Sequence, residues 1–144
     1  MSGKVVSVNT SEKRGEKKTP VDSIEIKVDH GIVGDSHGGH HSVREISLLA
    51  IESHRKMIEK GVDVSPGDFA ENITTEGIDL PSLPIGTRLR IGNIEAEVTQ
   101  IGKTCHDRCN IYQQVGDCVM PREGIFVKSI NPGTISPGDE ITIL

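Results

Sequence analysis

The sequence predicts a mostly-β fold: a closed, barrel-like sheet of short strands with one or two short helices, forming one domain over residues 1–144. Three observations predict it. Sixteen glycines and seven prolines punctuate the chain, which favours many turns over long helices. Apolar residues recur at alternate positions in short runs, the period of a strand with one buried face. Finally, Gly92-Asn93 sits between two such runs as a two-residue hairpin turn. With two Phe, one Tyr and no Trp, the core has to be aliphatic. A chain of this length buries roughly 68–70% of its unfolded surface, enough for a core without staples.

Taken in order, residues 4–8 read as a first strand. Residues 11–20 (SEKRGEKKTP) form a polar loop of both charge signs, read as a solvated connection or as a guide for an anionic ligand through Lys13, Arg14, Lys17 and Lys18. In 23–28, Ile24, Ile26 and Val28 share one face and Glu25 and Lys27 the other, a half-buried strand. Gly31 to Asp35 leads into the loop Ser36-His37-Gly38-Gly39-His40-His41. A strand over 43–49 then runs into a helix over 50–60, with Ile51, His54 and Ile58 on one face and Gly61 at its end. His54 is read as part of the packed face. Residues 68–75 give a turn and a short strand, 87–91 and 93–100 the hairpin, and 125–130 and 140–144 the last two strands across a Pro- and Gly-rich turn. Residues 107–114 read as one short helix. Ser-Pro-Gly-Asp occurs at 65–68 and 136–139 in unlike surroundings, so these are two similar turns and not a repeat.

Composition excludes several functions. The formal net charge is −5, and neither a basic stripe nor aromatic platforms are present, so nucleic acid is not an expected partner. No apolar run approaches the ~20 residues needed to span a bilayer, and the amino terminus lacks a secretory apolar stretch, so no membrane role is expected. Three cysteines are an odd number in a chain that can do without disulfides. A reducing, cytoplasmic location with free thiols is expected.

The densest chemistry is Gly102-Lys103-Thr104-Cys105-His106-Asp107-Arg108-Cys109, directly after the best-defined strand. A thiol reacts as its thiolate, and its ordinary pKa near 8.5 falls when cations or a helix amino terminus lie close. Lys103, His106 and Arg108 flank Cys105, and Asp107 is placed to cap a following helix, so the parts of an activated sulfur nucleophile are present. The alternatives are a buried, inert Cys105, a redox pair with Cys109, or a zinc site built from the three cysteines and His106, although paired Cys-x-x-Cys spacing is absent. A second cluster, Gly34 to His41 with Arg44 beyond, offers three histidines and an aspartate to a metal, or backbone N–H groups to an anion, or is simply a polar loop. In a third, Gly116 to Phe126, Arg122 offers a planar cationic fork to a phosphate or carboxylate, or pairs with Glu123 on the surface.

These clusters, in order, resemble the MOSC domain, named for the carboxy-terminal domain of molybdenum cofactor sulfurase, in its short stand-alone bacterial form. The matching stretches are 31–41, 44–49, Gly67-Asp68-Phe69-Ala70-Glu71-Asn72-Ile73, 102–105, 124–127 and Gly138-Asp139. The resemblance implies a closed, mostly antiparallel barrel and a role in binding molybdenum cofactor or carrying sulfur, with Cys105 as the sulfur-carrying cysteine. The large sulfurases also carry a pyridoxal-phosphate desulfurase domain, for which this chain has no room, so no pyridoxal phosphate is expected. Some larger relatives place Arg-x-Pro before the cysteine, where this chain has Lys103-Thr104.

The leading expectation is a sulfur carrier or sulfurtransferase linked to molybdenum cofactor. Cys105 holds a persulfide steadied by Lys103, His106 and Arg108, and a cysteine desulfurase is the donor. Arg44, Lys17, Lys18, His37 and Arg122 are the expected contacts to the anionic cofactor. A second is a non-catalytic module that delivers cofactor or molybdate, with Cys105 as a soft ligand to molybdenum. A third is a zinc-stabilised interaction domain. Cofactor-synthesis enzymes are expected partners, and Cys105 is expected at the barrel rim beside the His37–His41 loop.

Overall fold

The computed structural model describes residues 2–11, 18–28, 30–33, 46–102 and 123–144. The described elements, in chain order, are β1 (Ser2–Thr10), β2 (Thr19–Val21), β3 (Ile24–Lys27), β4 (Gly31–Ile32), β5 (Ile46–Ala50), α1 (Ile51–Glu59), β6 (Ile73–Glu76), a 3-10 turn (Leu80–Ser82), β7 (Arg88–Ile91), β8 (Ile94–Ile101), β9 (Ile125–Ser129), β10 (Gly133–Ile135) and β11 (Glu140–Ile143).

Seven strands close into a barrel in the order β1-β11-β7-β8-β9-β5-β6 and back to β1, as the sequence predicts. Closure removes the free edges that an open sheet would expose. Every pairing in the ring is antiparallel except β5 with β6, where Leu48 lies opposite Ile73. A parallel neighbour needs a crossover, and α1 supplies it. Because α1 covers the outside of β5, that strand is buried on both faces, and its run Ile-Ser-Leu-Leu-Ala is nearly continuous in apolar character. A smaller antiparallel sheet, β10-β3-β4, packs at one end of the barrel, where Ser129 Oγ lies 3.5 Å from the Lys27 carbonyl oxygen.

The barrel interior is aliphatic throughout, filled by side chains such as Val5, Val8, Ile26, Ile46, Leu48, Ile73, Leu89, Ile94, Val98, Ile125 and Ile141. Both phenylalanines lie instead in an outer layer between wall and helix, with Leu49, Met57, Val62 and Val64. Val5 and Val8 are three residues apart, which alternation would send to opposite faces. A bulge between Val5 and Ser7 in the β1–β6 pairing inserts one residue, so both valines point inward and Ser7 and Asn9 point into the outer layer.

Several expectations need correction. Val28 does not share the buried face of Ile24 and Ile26; β3 ends at Lys27 and Val28 is 42% exposed. The buried face of α1 is Ser53, His54 and Met57, not the Ile51–His54–Ile58 stripe, and Ile58 is half exposed because the helix meets the wall one position around. The segment 11–20 is not loop throughout, since Thr19–Val21 pairs with β1 and Lys18 is buried. The Pro- and Gly-rich turn before β11 contains β10. The hairpin is as predicted: Ile91 pairs with Ile94 across Gly92-Asn93, and Ile94, Ala96 and Val98 are buried. The short helix expected at 107–114 lies outside the described residues. Among the described residues no helix is long and apolar enough to cross a membrane.

The two Ser-Pro-Gly-Asp turns prove to be the same local structure. In each, the Asp amide bonds back to the Ser carbonyl, the Asp carboxylate accepts from the Ser amide, and the glycine has φ of +93°. Proline then glycine at the central positions is the signature of a type II turn. Their surroundings differ. A Cβ on Gly138 meets nothing within 4 Å, whereas one on Gly67 would lie 2.2 Å from the Lys18 carbonyl oxygen. Gly138→Ala is therefore expected to lower stability by about 1–2 kcal/mol, the penalty for a left-handed L-residue. Gly67→Ala should cost distinctly more, because the backbone itself must move. Urea denaturation of the two variants checks this, and equal losses would contradict it.

Candidate functional site

The outer layer beneath α1 holds a buried carboxylate. Glu71 is fully buried, and such a group is tolerated only when its oxygens are hydrogen-bonded. Three donors meet it. His54 Nε2 of α1 lies 2.5 Å from Oε2, Thr74 Oγ1 of β6 donates to the same oxygen at 2.9 Å, and the Phe69 amide donates to Oε1 at 3.2 Å. The Phe69 ring also packs edge-on to His54, with centroids 4.8 Å apart. His54 is thus on the packed face, as the sequence suggests, but as a polar member of it. From Thr74 the bonding continues: Asn9 Nδ2 donates to Thr74 Oγ1 and to the Glu71 carbonyl, and Ser7 Oγ donates to Asn9 Oδ1. The chain reaches this arrangement through Ala70 at φ +62°, the one described non-glycine residue in the left-handed region.

Asn72, next along, joins two strands. Its Oδ1 accepts from the amide and hydroxyl of Ser47 at the start of β5, and its Nδ2 donates to the Asn9 carbonyl near the end of β1. Gly67, five residues before it, accepts the Lys18 amide through its carbonyl, and Lys18 Nζ donates to Ser11 Oγ at 3.2 Å. Segments 12–17 and 34–45 therefore both join the barrel at the same end, called here the first rim. It is formed by the end of β1, the beginning of β2, and the beginnings of β5 and β6.

The cysteine segment joins the barrel elsewhere. β8 is antiparallel to β9 and β9 to β5, so β8 and β5 run the same way. The end of β8 and the beginning of β5 consequently lie at opposite rims. At this second rim the Gly102 amide bonds to the Gly124 carbonyl at 2.6 Å, which closes the neck of segment 103–122, and Gln100 Nε2 donates to the Gly102 carbonyl at 2.8 Å. On the far side of the neck, Glu123 accepts from Ser53 Oγ at 2.6 Å and pairs with Lys56 Nζ at 3.0 Å, both on α1.

Of the residues singled out from the sequence, only Lys18 falls among those described, and its ammonium is buried against Ser11. Lys17, His37, Arg44, Lys103, Cys105, His106, Arg108 and Arg122 lie outside them. So does the expected meeting of Cys105 with the His37–His41 loop, although the strand ends to which these two segments attach are at opposite rims. Among the described residues no three His, Cys, Asp or Glu side chains form a metal site. The Glu71–His54 pair and the Asn72 junction were not read from the sequence as a polar centre. The available signal was two consecutive polar residues, Glu71-Asn72, wedged between Phe69 and Ile73 at the start of a strand.

A family model for the MOSC domain matches residues 34–142, most of the chain. The chain belongs to the MOSC domain family. That family is associated with molybdenum cofactor binding. Solved structures similar to this MOSC domain include YuaD from Bacillus subtilis, 21% identical, with a TM-score of 0.77 over 98% of this chain and 94% of that one. YiiM from Geobacillus stearothermophilus is 19% identical with a TM-score of 0.74, over 99% and 75% of the two chains. YiiM from Escherichia coli is 20% identical with a TM-score of 0.69, over 100% and 70%. At these identities the likeness is one of fold. No curated protein sequence matches the chain.

The buried carboxylate has a direct consequence for stability. Glu71→Ala removes the acceptor from three buried donors at once, so a loss of about 3–5 kcal/mol is expected, as for one member of a buried pair. Glu95→Ala, at a partly exposed position, breaks a surface pair with Arg88 and should change stability by less than about 1 kcal/mol. Chemical denaturation compares the two, and a Glu71→Ala loss as small as that of Glu95→Ala would contradict the assignment.

Proposed function

We propose that this MOSC domain is a sulfur carrier linked to molybdenum cofactor, with the thiol of Cys105 as the carrying group. The observation that supports this most is the closed neck of segment 103–122. A short bond from Gly102 to Gly124 and the clamp of Glu123 onto α1 fix both ends of the segment on the β8–β9 pair. Cys105 follows the end of β8 by four positions, in a segment whose two ends are tied by described residues, and chemistry is commonly carried on loops that leave a rigid scaffold.

In the reaction, the Cys105 thiolate attacks the terminal sulfur of a persulfide on a cysteine desulfurase. The donor's sulfur–sulfur bond breaks, the donor leaves as a thiolate, and Cys105 gains one sulfur with no net oxidation. Lys103, His106 and Arg108 supply the positive charge that favours both the attacking thiolate and the resulting persulfide anion. The molybdenum cofactor is the acceptor substrate. Its donor chemistry suits this chain, since a thiolate is a soft partner for the metal and cations suit the phosphate. Arg44, Lys17, His37 and Arg122 are the residues proposed to meet it, the Lys18 ammonium being buried against Ser11, and a reducing cytoplasm keeps the thiol available.

One observation favours a second reading. Lys17, Lys18, His37 and Arg44 belong to segments attached at the first rim, whereas the Cys105 segment is attached at the second. That separation suits a binding and delivery module in which anion capture does not use the thiol.

Cys105→Ser separates the readings, because a hydroxyl of similar size scarcely ionises near neutral pH and cannot form a persulfide. For the carrier, sulfur loading from a desulfurase, followed by mass spectrometry, should be lost, with stability changed by no more than about 0.5 kcal/mol. For the delivery module, the wild type takes up no sulfur and the variant still retains cofactor. A collapse of the melting temperature with release of zinc would overturn both in favour of a structural metal.

A further inference from the structure

We draw no further inference here: the strongest candidate, the buried cluster of His54 and Glu71 beneath α1, belongs to the site already described, and nothing among the described residues shows what the unpartnered His54 Nδ1 would bind.

Discussion

A carboxylate with no access to water governs how this barrel is assembled on its outer side. Glu71 must find donors, and the donors available come from three places: a helix, a strand and its own turn. Meeting that requirement seats α1 against the wall and fixes the turn ahead of β6. It also brings Asn72 into line between β1 and β5. The apolar contacts of Met57, Phe69 and Leu49 supply the larger burial, but they are not directional. The hydrogen-bonded carboxylate decides which of several greasy arrangements is adopted. The helix buries Ser53, His54 and Met57 and not the Ile51–His54–Ile58 stripe, and the tie from His54 to Glu71 lies on that buried face.

How legible this was in the sequence varies by element. Strict alternation made β3, β7 and β8 readable, and the two-residue Gly92-Asn93 turn fixed their register in the hairpin. Aromatic scarcity foretold an aliphatic interior, and both phenylalanines are indeed outside it. Short strands without a period, β2, β4 and β10, were missed because two or three residues carry too little pattern to detect. The bulge in β1 was also hidden, since a shift of one residue looks like ordinary irregularity until the partner strand is known. The polar centre was missed for a different reason. His54, though read on the packed face, and Glu71 are separated in sequence, and only the crossover through α1 brings them together. Cys105 was singled out for its cationic neighbours; it lies outside the described residues, which show where its segment is anchored.

The topology sets a constraint that the sequence did not reveal. Segments 12–17 and 34–45 join the barrel at one rim and segment 103–122 joins it at the other, the rims separated by the length of the barrel wall. The proposed anion contacts Lys17, His37 and Arg44 and the proposed sulfur carrier Cys105 therefore belong to segments with different anchor points.

The central claim, that sulfur passes through Cys105 to the cofactor, is tested most directly by a radiolabel chase. The protein is loaded with sulfur-35 from a cysteine desulfurase, freed of donor, and mixed with molybdenum cofactor that lacks its terminal sulfur and has been reduced beforehand to Mo(IV). The metal then supplies the two electrons that bring persulfide sulfur to the sulfide level as Cys105 leaves as thiolate. The account predicts that label leaves the Cys105 peptide and appears on the cofactor at up to one sulfur per protein. Label that stays on the protein, or that reaches the cofactor equally well from a chain carrying Cys105→Ser, would contradict it.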